Sequence, residues 1–158
     1  MAYPYGTYND QVVDILKSCG IVYARTVIST EKFSVPTDWL RMPATCHHNN
    51  PRLMELAKTF ADTTYSNSPK LFYLWGHSYE FDQNDNWNVI EDFASYMGGR
   101  EDIWYATNIE VYEYVEAFRS IVSSTDRSMI KNISAFTLYF DFNGQIYSIA
   151  PGETVKLG

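Results

Sequence analysis

The chain has 158 residues, enough for one domain with a substantial hydrophobic core. A formal net charge of −7, with no long run of one sign, argues against a nucleic-acid partner and against an anionic membrane surface, because both need a basic patch. No apolar stretch approaches the length of about 18 residues that a transmembrane helix requires, so we expect no membrane span.

Predicted strands and helices alternate over residues 1–123, which is the pattern of parallel βα units. Strands are indicated by β-branched or continuous apolar runs, and helices by apolar residues at spacings of three and four between caps. The first predicted elements are a strand ending at the turn 4–6, a helix capped by Thr7 or Asn9 and ended by Gly20, a strand at 21–27 and a long loop at 28–50. A helix begun by Asn50-Pro51, a turn at 66–69, a strand at 71–75 and a polar loop at 82–86 follow. The last are a helix closed by Gly98-Gly99, a strand at 103–106, and a helix that is opened by a capping box from Thr107 to Glu110 and has Val111, Val115, Phe118 and Val122 on one side.

The pattern changes after residue 123. Residues 134–141 alternate as a strand, Asn143-Gly144 is a strong signal for a two-residue hairpin, and residues 145–150 return. Pro151-Gly152 turns the chain into a last strand at 154–157. Residues 124–158 are therefore predicted to form an antiparallel β appendage packed on the same domain.

Four βα units are too few for an eight-stranded barrel, which typically takes about 250 residues. The strands could form a small open sheet, or they could be the second half of a larger barrel. A Pro-Tyr-Gly turn four residues into the chain suggests entry halfway through a strand and favours the second alternative. We therefore predict an α/β fold in which residues 1–123 form about half of a distorted (β/α) barrel with parallel strands.

The stretch from Leu71 to Phe81 is the predicted chemical centre. Its continuous apolar run into Gly76 indicates a strand buried on both faces, and functional residues lie where such parallel strands end. His77 at that end is suited to general acid or base catalysis near neutral pH, and Glu80 could hold its ring and tautomer. The alternative is a core histidine with its hydrogen bonds satisfied.

Other candidate residues are weaker. Neighbouring residues on an extended chain point to opposite sides, so the run Cys46-His47-His48 is expected to pack or to contact substrate and not to hold zinc. Cys19 is expected to be a small buried residue. The tight turn from Tyr3 to Gly6 could aim a backbone N–H at a developing oxyanion, or it could be an ordinary strand-to-helix turn.

Three short motifs carry a family resemblance. Pro4-Tyr5-Gly6, then Asp38-Trp39, then Leu74 with His77 three residues later, resemble motifs three to five of the polysaccharide deacetylases of carbohydrate esterase family four. The sequences of the segments TDWLRMP, WGHSYEF and WYATNIEVYEY are also similar to those of this family. That family has a distorted barrel and hydrolyses the N-acetyl groups of amino sugars.

The resemblance implies roles at the matching positions only. His77 would be the general acid that protonates the leaving amine, and the backbone N–H of Tyr5 would stabilise the oxyanion. Pro4, Tyr5 and Trp39 would line the sugar groove, and Asp38 would match the acidic residue of the fourth motif. The implied substrate is an N-acetylated polysaccharide or oligosaccharide.

The departures from the family are equally informative. Ala2 stands where the third motif has arginine, Val35 stands where the fourth motif has its first aspartate, and the first two motifs have no counterpart. Those motifs carry the catalytic base and the Asp-His-His site for a divalent, zinc-like metal. We therefore expect a truncated deacetylase domain, in which this chain alone binds no zinc tightly and has no activity.

Two further hypotheses stay open. The high aromatic content, 16% of residues, and the missing ligands also fit a non-catalytic carbohydrate-binding or scaffold domain built from the same barrel. Half a barrel leaves open strand edges and an apolar patch, so self-association or a partner that supplies the missing N-terminal half is expected. The first ten residues lack the features of a signal peptide, and the sequence does not indicate a compartment, although members of the family are often exported.

Overall fold

The computed structural model describes residues 1–63 and 68–157, so the predicted turn at 66–69 lies partly outside the described residues. The chain folds into two compact units, Met1–Trp104 and Tyr105–Gly158. No described helix is both long enough and apolar enough to cross a membrane. The helices are α1 (Asp10–Ser18), α2 (Leu53–Asp62), α3 (Tyr79–Asn84), α4 (Asn88–Met97) and α5 (Asn108–Arg119), and the strands are β1 (Arg25–Ser29), β2 (Met42–Ala44), β3 (Cys46–His47), β4 (Leu74–Trp75), β5 (Val122–Ser123), β6 (Met129–Lys131), β7 (Leu138–Phe142), β8 (Gln145–Ile149) and β9 (Thr154–Lys156).

The first unit contains short parallel strands that pair in chain order. Ala2 forms a parallel bridge to Arg25, β1 pairs with β2, and β3 pairs with β4. Only Thr45 separates β2 from β3. Because paired parallel strands end at the same edge, the segments that follow β3 and β4 leave that pair on one side.

The strands of the described residues form four small sheets and no barrel: two parallel pairs, one three-stranded antiparallel sheet and one hairpin. The mixture of helices and strands confirms the α/β class. The half-barrel itself stays a prediction.

The core beside β3 and β4 is formed by the apolar face of α2. Leu53 and Leu56 of this helix are buried against Cys46, with partly buried aromatic side chains around them. A second cluster joins Ala57 and Ala61 of α2 to Met97 of α4. The packing of α2 fixes the position at which β3 ends, and the functional candidates follow there.

Local signals located the first helix well, and the strands less well. Asn9 caps α1, because its side chain accepts a hydrogen bond from the Val12 N–H at 2.9 Å. The strand predicted at 21–27 lies at Arg25–Ser29, and the run at 71–75 is half-buried, with ladder pairing at Leu74–Trp75 only.

The long loop predicted at 28–50 is partly wrong, since it contains β2 and β3 and a turn of 3₁₀ helix at Trp39–Arg41. These strands are two or three residues long and one contains a proline, so no alternating pattern marks them. The polar loop predicted at 82–86 is wrong over residues 82–84, which belong to α3. The strand predicted at 103–106 is also wrong, because this apolar run joins no sheet of the described chain.

The second unit combines α5 with the antiparallel strands. Thr107 and Glu110 form the predicted capping box of α5, but the helix ends before Val122, which lies in β5. The hairpin of β7 and β8 turns at Asn143 and Gly144, both with positive φ, as predicted. Strands β5, β6 and β9 form the other sheet, of which only β9 was expected. Helix α5 belongs to the same compact unit as these strands, and the boundary proposed between residues 123 and 124 stays a prediction.

The two cysteines differ in accessibility, contrary to the expectation that Cys19 is buried. Cys19 is exposed at the end of α1, whereas Cys46 is buried, and burial raises the pKa of the Cys46 thiol to about 11, with a further contribution from the Glu31 carboxylate. We expect a maleimide to label Cys19 alone in the native protein, and to label Cys46 only after unfolding. Mass spectrometry of native wild type and of Cys19→Ser checks this, and native labelling of Cys19→Ser would contradict it.

Candidate functional site

Three histidines converge on one carboxylate at the strand ends of the first unit. His47 ends β3 and His48 follows it, His77 follows β4, and Glu80 lies in the first turn of α3. The Oε1 atom of Glu80 lies 3.0 Å from Nδ1 of His77. The Oε2 atom lies 3.3 Å from Nε2 of His47 and 2.8 Å from Nε2 of His48. We call these four residues the histidine–glutamate cluster.

His77 is held by Glu80 in the way that the sequence predicted. A carboxylate only accepts hydrogen bonds, so Nδ1 of His77 carries the proton that it shares with Oε1. The Nε2 atom is then the nitrogen that can gain and lose a proton. Since 47% of the side chain is exposed, a substrate can approach this ring. His77 is therefore not a buried core histidine.

His48 is the most buried member of the cluster, with 3% of its surface exposed. Its ring packs against Phe81 at a centroid distance of 4.3 Å and against the backbone of Gly76, where a Cβ atom would lie only 1.8 Å from Nδ1. Its Nε2 is close to Oε2 of Glu80 but forms no hydrogen bond with any described residue. A buried polar nitrogen without a hydrogen bond is unusual in a folded protein.

His47 is fixed by its own backbone and by Trp75. Its Nδ1 accepts the Asn49 N–H at 3.1 Å, so the proton of the neutral ring is on Nε2, which faces Glu80. The ring meets Trp75 edge-on at 4.4 Å, and the guanidinium of Arg25 covers the Trp75 ring at the same distance. Burial lowers the pKa of His47, and the neighbouring His48 lowers it further against the opposite effect of Glu80.

Glu80 is the electrostatic centre of the cluster. Its partial burial acts to raise its pKa, but the hydrogen bond from His77 and the electrostatic interactions with His47, His48 and His77 act in the other direction and lower the pKa overall. Asn49 adds a hydrogen bond from Nδ2 to Oε2 at 3.3 Å. The side chain is thus ionised at neutral pH and surrounded by donors.

The expectation that His47 and His48 point to opposite sides is wrong, because both imidazoles reach Oε2 of Glu80. Strand β3 ends at His47, so the alternation of an extended chain does not continue to His48. Sequence reasoning missed their contact with Glu80 because it placed both histidines in a loop. Recognition of β3 as a parallel neighbour of β4 would have located them beside His77.

The cluster also has the composition of a metal site. One ligand atom each from His47, His77 and Glu80 lies within 4.8 Å of the others. Two imidazole nitrogens and one carboxylate oxygen form a donor set that zinc and related ions accept. The resemblance implied a different set, Asp-His-His, outside these residues.

The predicted oxyanion turn follows Ala2, which bridges to Arg25 of β1. Tyr5 belongs to a short 3₁₀ turn, has a positive φ of 53° and exposes its whole side chain. Gly6 follows with a φ of +71° and lies against Val27, where a Cβ atom would come within 2.5 Å of Cγ2. This close contact with β1 fixes the direction of the turn.

Asp38 and Trp39 have structural contacts in this unit. The Asp38 carboxylate accepts the Leu40 N–H at 3.0 Å and pairs with Arg41 at 2.6 Å. Trp39 is 7% exposed. A role of Pro4, Tyr5, Asp38 or Trp39 in substrate binding stays a prediction.

Comparison with protein-family models, with curated proteins and with solved structures found no match. The resemblance to deacetylases therefore depends on the short motifs, and the function is proposed from these and from the geometry of the cluster.

Proposed function

We propose that this chain supplies the general acid of an amide hydrolase that removes N-acetyl groups from amino sugars. His77 is the acid and Glu80 is its positioning residue. The observation that carries the proposal is the 3.0 Å contact between Nδ1 of His77 and Oε1 of Glu80, on a ring that is half exposed. Such a contact fixes one tautomer and leaves the other nitrogen free for the reaction.

The chemistry requires a proton donor because an amine is a poor leaving group. When the tetrahedral intermediate breaks down, the protonated Nε2 of His77 gives its proton to the departing sugar nitrogen. Glu80 stabilises the imidazolium form before this step, since its ionised carboxylate lies against the opposite nitrogen. Only two residues separate the acid from the carboxylate, and the backbone N–H of Glu80 donates to the His77 carbonyl at 3.1 Å, which holds the pair together at the start of α3.

Parallel pairing supports a shared site for His77 and the Tyr5 turn. Ala2 pairs in parallel with Arg25 of β1, and β4 pairs in parallel with β3. In the proposal both segments leave their strands toward one edge. In the proposal the Tyr5 N–H donates to the oxyanion. The zinc-like metal that the resemblance implies would polarise the amide carbonyl when bound, and the residues that would hold it in the family have no counterpart here.

A non-catalytic carbohydrate-binding module is the second candidate, favoured by an exposed aromatic ring beside the cluster. Tyr79 lies 5.2 Å from His77 between ring centroids and is 54% exposed. An exposed ring of this kind can stack on a sugar. In the catalytic proposal the same ring would position the sugar next to the acid.

The deciding experiment measures acetate release from N-acetylglucosamine oligomers by the full-length protein. We expect His77→Gln to lower kcat by about 10²–10⁴-fold with little change in KM, because a general acid acts in the transition state. Glu80→Gln should lower kcat less, since an amide still holds the ring but does not stabilise the imidazolium. The matched control is Glu113→Gln, an exposed substitution on α5 that should leave both constants unchanged. Full activity of His77→Gln would contradict the proposal, and oligosaccharide binding without hydrolysis by wild type would favour the binding module.

A further inference from the structure

We propose that His47, His77 and Glu80 bind a transition-metal ion of the zinc class, with a third nitrogen, Nε2 of His48, facing the same carboxylate as the fourth ligand. This goes beyond the proposed function, because the site is distinct from the Asp-His-His set that the resemblance implies. It would be a second metal site built entirely from residues of this chain.

Two of the distances between ligand atoms are close to those of a tetrahedral site. Zinc binds nitrogen and oxygen at about 2.0–2.2 Å, so two of its ligand atoms lie about 3.3 Å apart. In the cluster Nε2 of His47 is 3.3 Å from Oε2 of Glu80, and Nδ1 of His77 is 3.0 Å from Oε1. The ligand atoms of the three residues all lie within 4.8 Å of one another, so rotation of the side chains would bring them around one ion.

The buried Nε2 of His48, whose contact with Glu80 lacks hydrogen-bond geometry, is a second observation. Its Nε2 is buried, lies 2.8 Å from Oε2 of Glu80 and makes no hydrogen bond to any described residue. A metal ion on this nitrogen would offset its lost hydration. An ion at Oε2 would lie within reach of this lone pair, provided that the ring carries its proton on Nδ1.

Binding requires two proton shifts within the imidazoles. The proton of His77 moves from Nδ1 to Nε2, and that of His47 moves from Nε2 to Nδ1, so no proton leaves either neutral ring. The Asn49 N–H then loses its acceptor at Nδ1 of His47. This cost places the expected affinity well below that of a structural zinc site, in which the second nitrogen of each histidine donates to a preformed partner.

Metal occupancy and the proposed acid role of His77 exclude each other. An ion on Nδ1 removes the hydrogen bond to Glu80 and leaves Nε2 protonated, where it can no longer cycle its proton near neutral pH. Excess zinc is therefore expected to inhibit the hydrolase. The proposal does not depend on this inhibition, because binding can be measured without any substrate.

The test is calorimetric titration of the 158-residue chain with Zn²⁺, repeated with Co²⁺, whose visible spectrum reports tetrahedral coordination. We expect about one ion per chain, and at least about a tenfold weaker affinity for His77→Gln and for Glu80→Gln. Glu113→Gln is the matched control and should bind as wild type. Imidazole NMR signals of His47 and His77 should shift on addition of Zn²⁺, which identifies the site even where a variant folds poorly.

Absence of heat and of imidazole shifts in the folded wild type would overturn the metal site, and so would wild-type affinity in Glu80→Gln. Neither result bears on the loss of activity expected for His77→Gln. Metal binding therefore tests the metal site, and the activity of His77→Gln tests the general-acid role separately. If His48→Gln binds Zn²⁺ with wild-type affinity while His77→Gln binds it more weakly, the ligands are His47, His77 and Glu80 only. That result would overturn the role of His48 as the fourth ligand.

Discussion

Gly76→Ala is expected to displace His48 from the histidine–glutamate cluster and to destabilise the protein by about 1–3 kcal/mol, the usual cost of forcing an extra methyl group into a packed site. A Cβ atom at this position would lie 1.8 Å from Nδ1 and 2.5 Å from Cε1 of His48. The imidazole cannot simply turn to solvent, because it is buried against Phe81. Urea unfolding measures the loss of stability.

The control for this substitution is a double-mutant cycle. In a His48→Ala background the imidazole is gone, so Gly76→Ala should cost little, within about 0.5 kcal/mol. An equal cost in both backgrounds would show that the backbone at residue 76, and not the His48 ring, rejects the methyl group. The same variants test the metal site from a second direction, since Gly76→Ala should weaken Zn²⁺ binding only if His48 is a ligand.

Interactions within one turn of chain were predictable from the sequence, and interactions between distant strands were not. The His77–Glu80 pair was found because its members are only three positions apart along the chain, at the start of α3. The contacts of His47 and His48 with Glu80 span more than thirty residues of chain and depend on the pairing of β3 with β4. Since β3 has two residues, no periodicity revealed it.

Caps and turns were predictable for the same reason. The Asn9 cap and the hairpin at Asn143-Gly144 follow from the preferences of one or two residues, and both are present. The apolar run at 103–106 has the composition of a strand but belongs to none of the sheets of the described residues. Composition specifies a propensity, and a strand also needs a neighbour with free backbone groups.

The second large effect is expected at Asn132, which links the two sheets of the second unit. Its side chain is fully buried, Nδ2 donates to the carbonyls of Phe136 at 2.7 Å and Ile149 at 2.9 Å, and Oδ1 accepts the Ser134 N–H at 2.9 Å. Asn132→Ala removes these three bonds and leaves the Ile149 carbonyl without this donor in the core. We expect a loss of about 2–4 kcal/mol in urea unfolding, since each buried group left unsatisfied costs about 1–3 kcal/mol.

Two variants separate the hydrogen bonds of Asn132 from its volume. Asn132→Asp keeps the shape and the acceptor but turns an anionic oxygen toward two carbonyls, so it should be at least as destabilising as alanine at pH 7 and less so as the pH falls and the carboxyl is protonated. Ser134→Ala removes only one side of the network, the hydroxyl bond to Oδ1 at 2.7 Å, and should cost about 1 kcal/mol. Stability of Asn132→Ala within about 0.5 kcal/mol of wild type would mean that water replaces the amide, and that packing of Leu138 and Ile149 alone holds the β7–β8 hairpin in place.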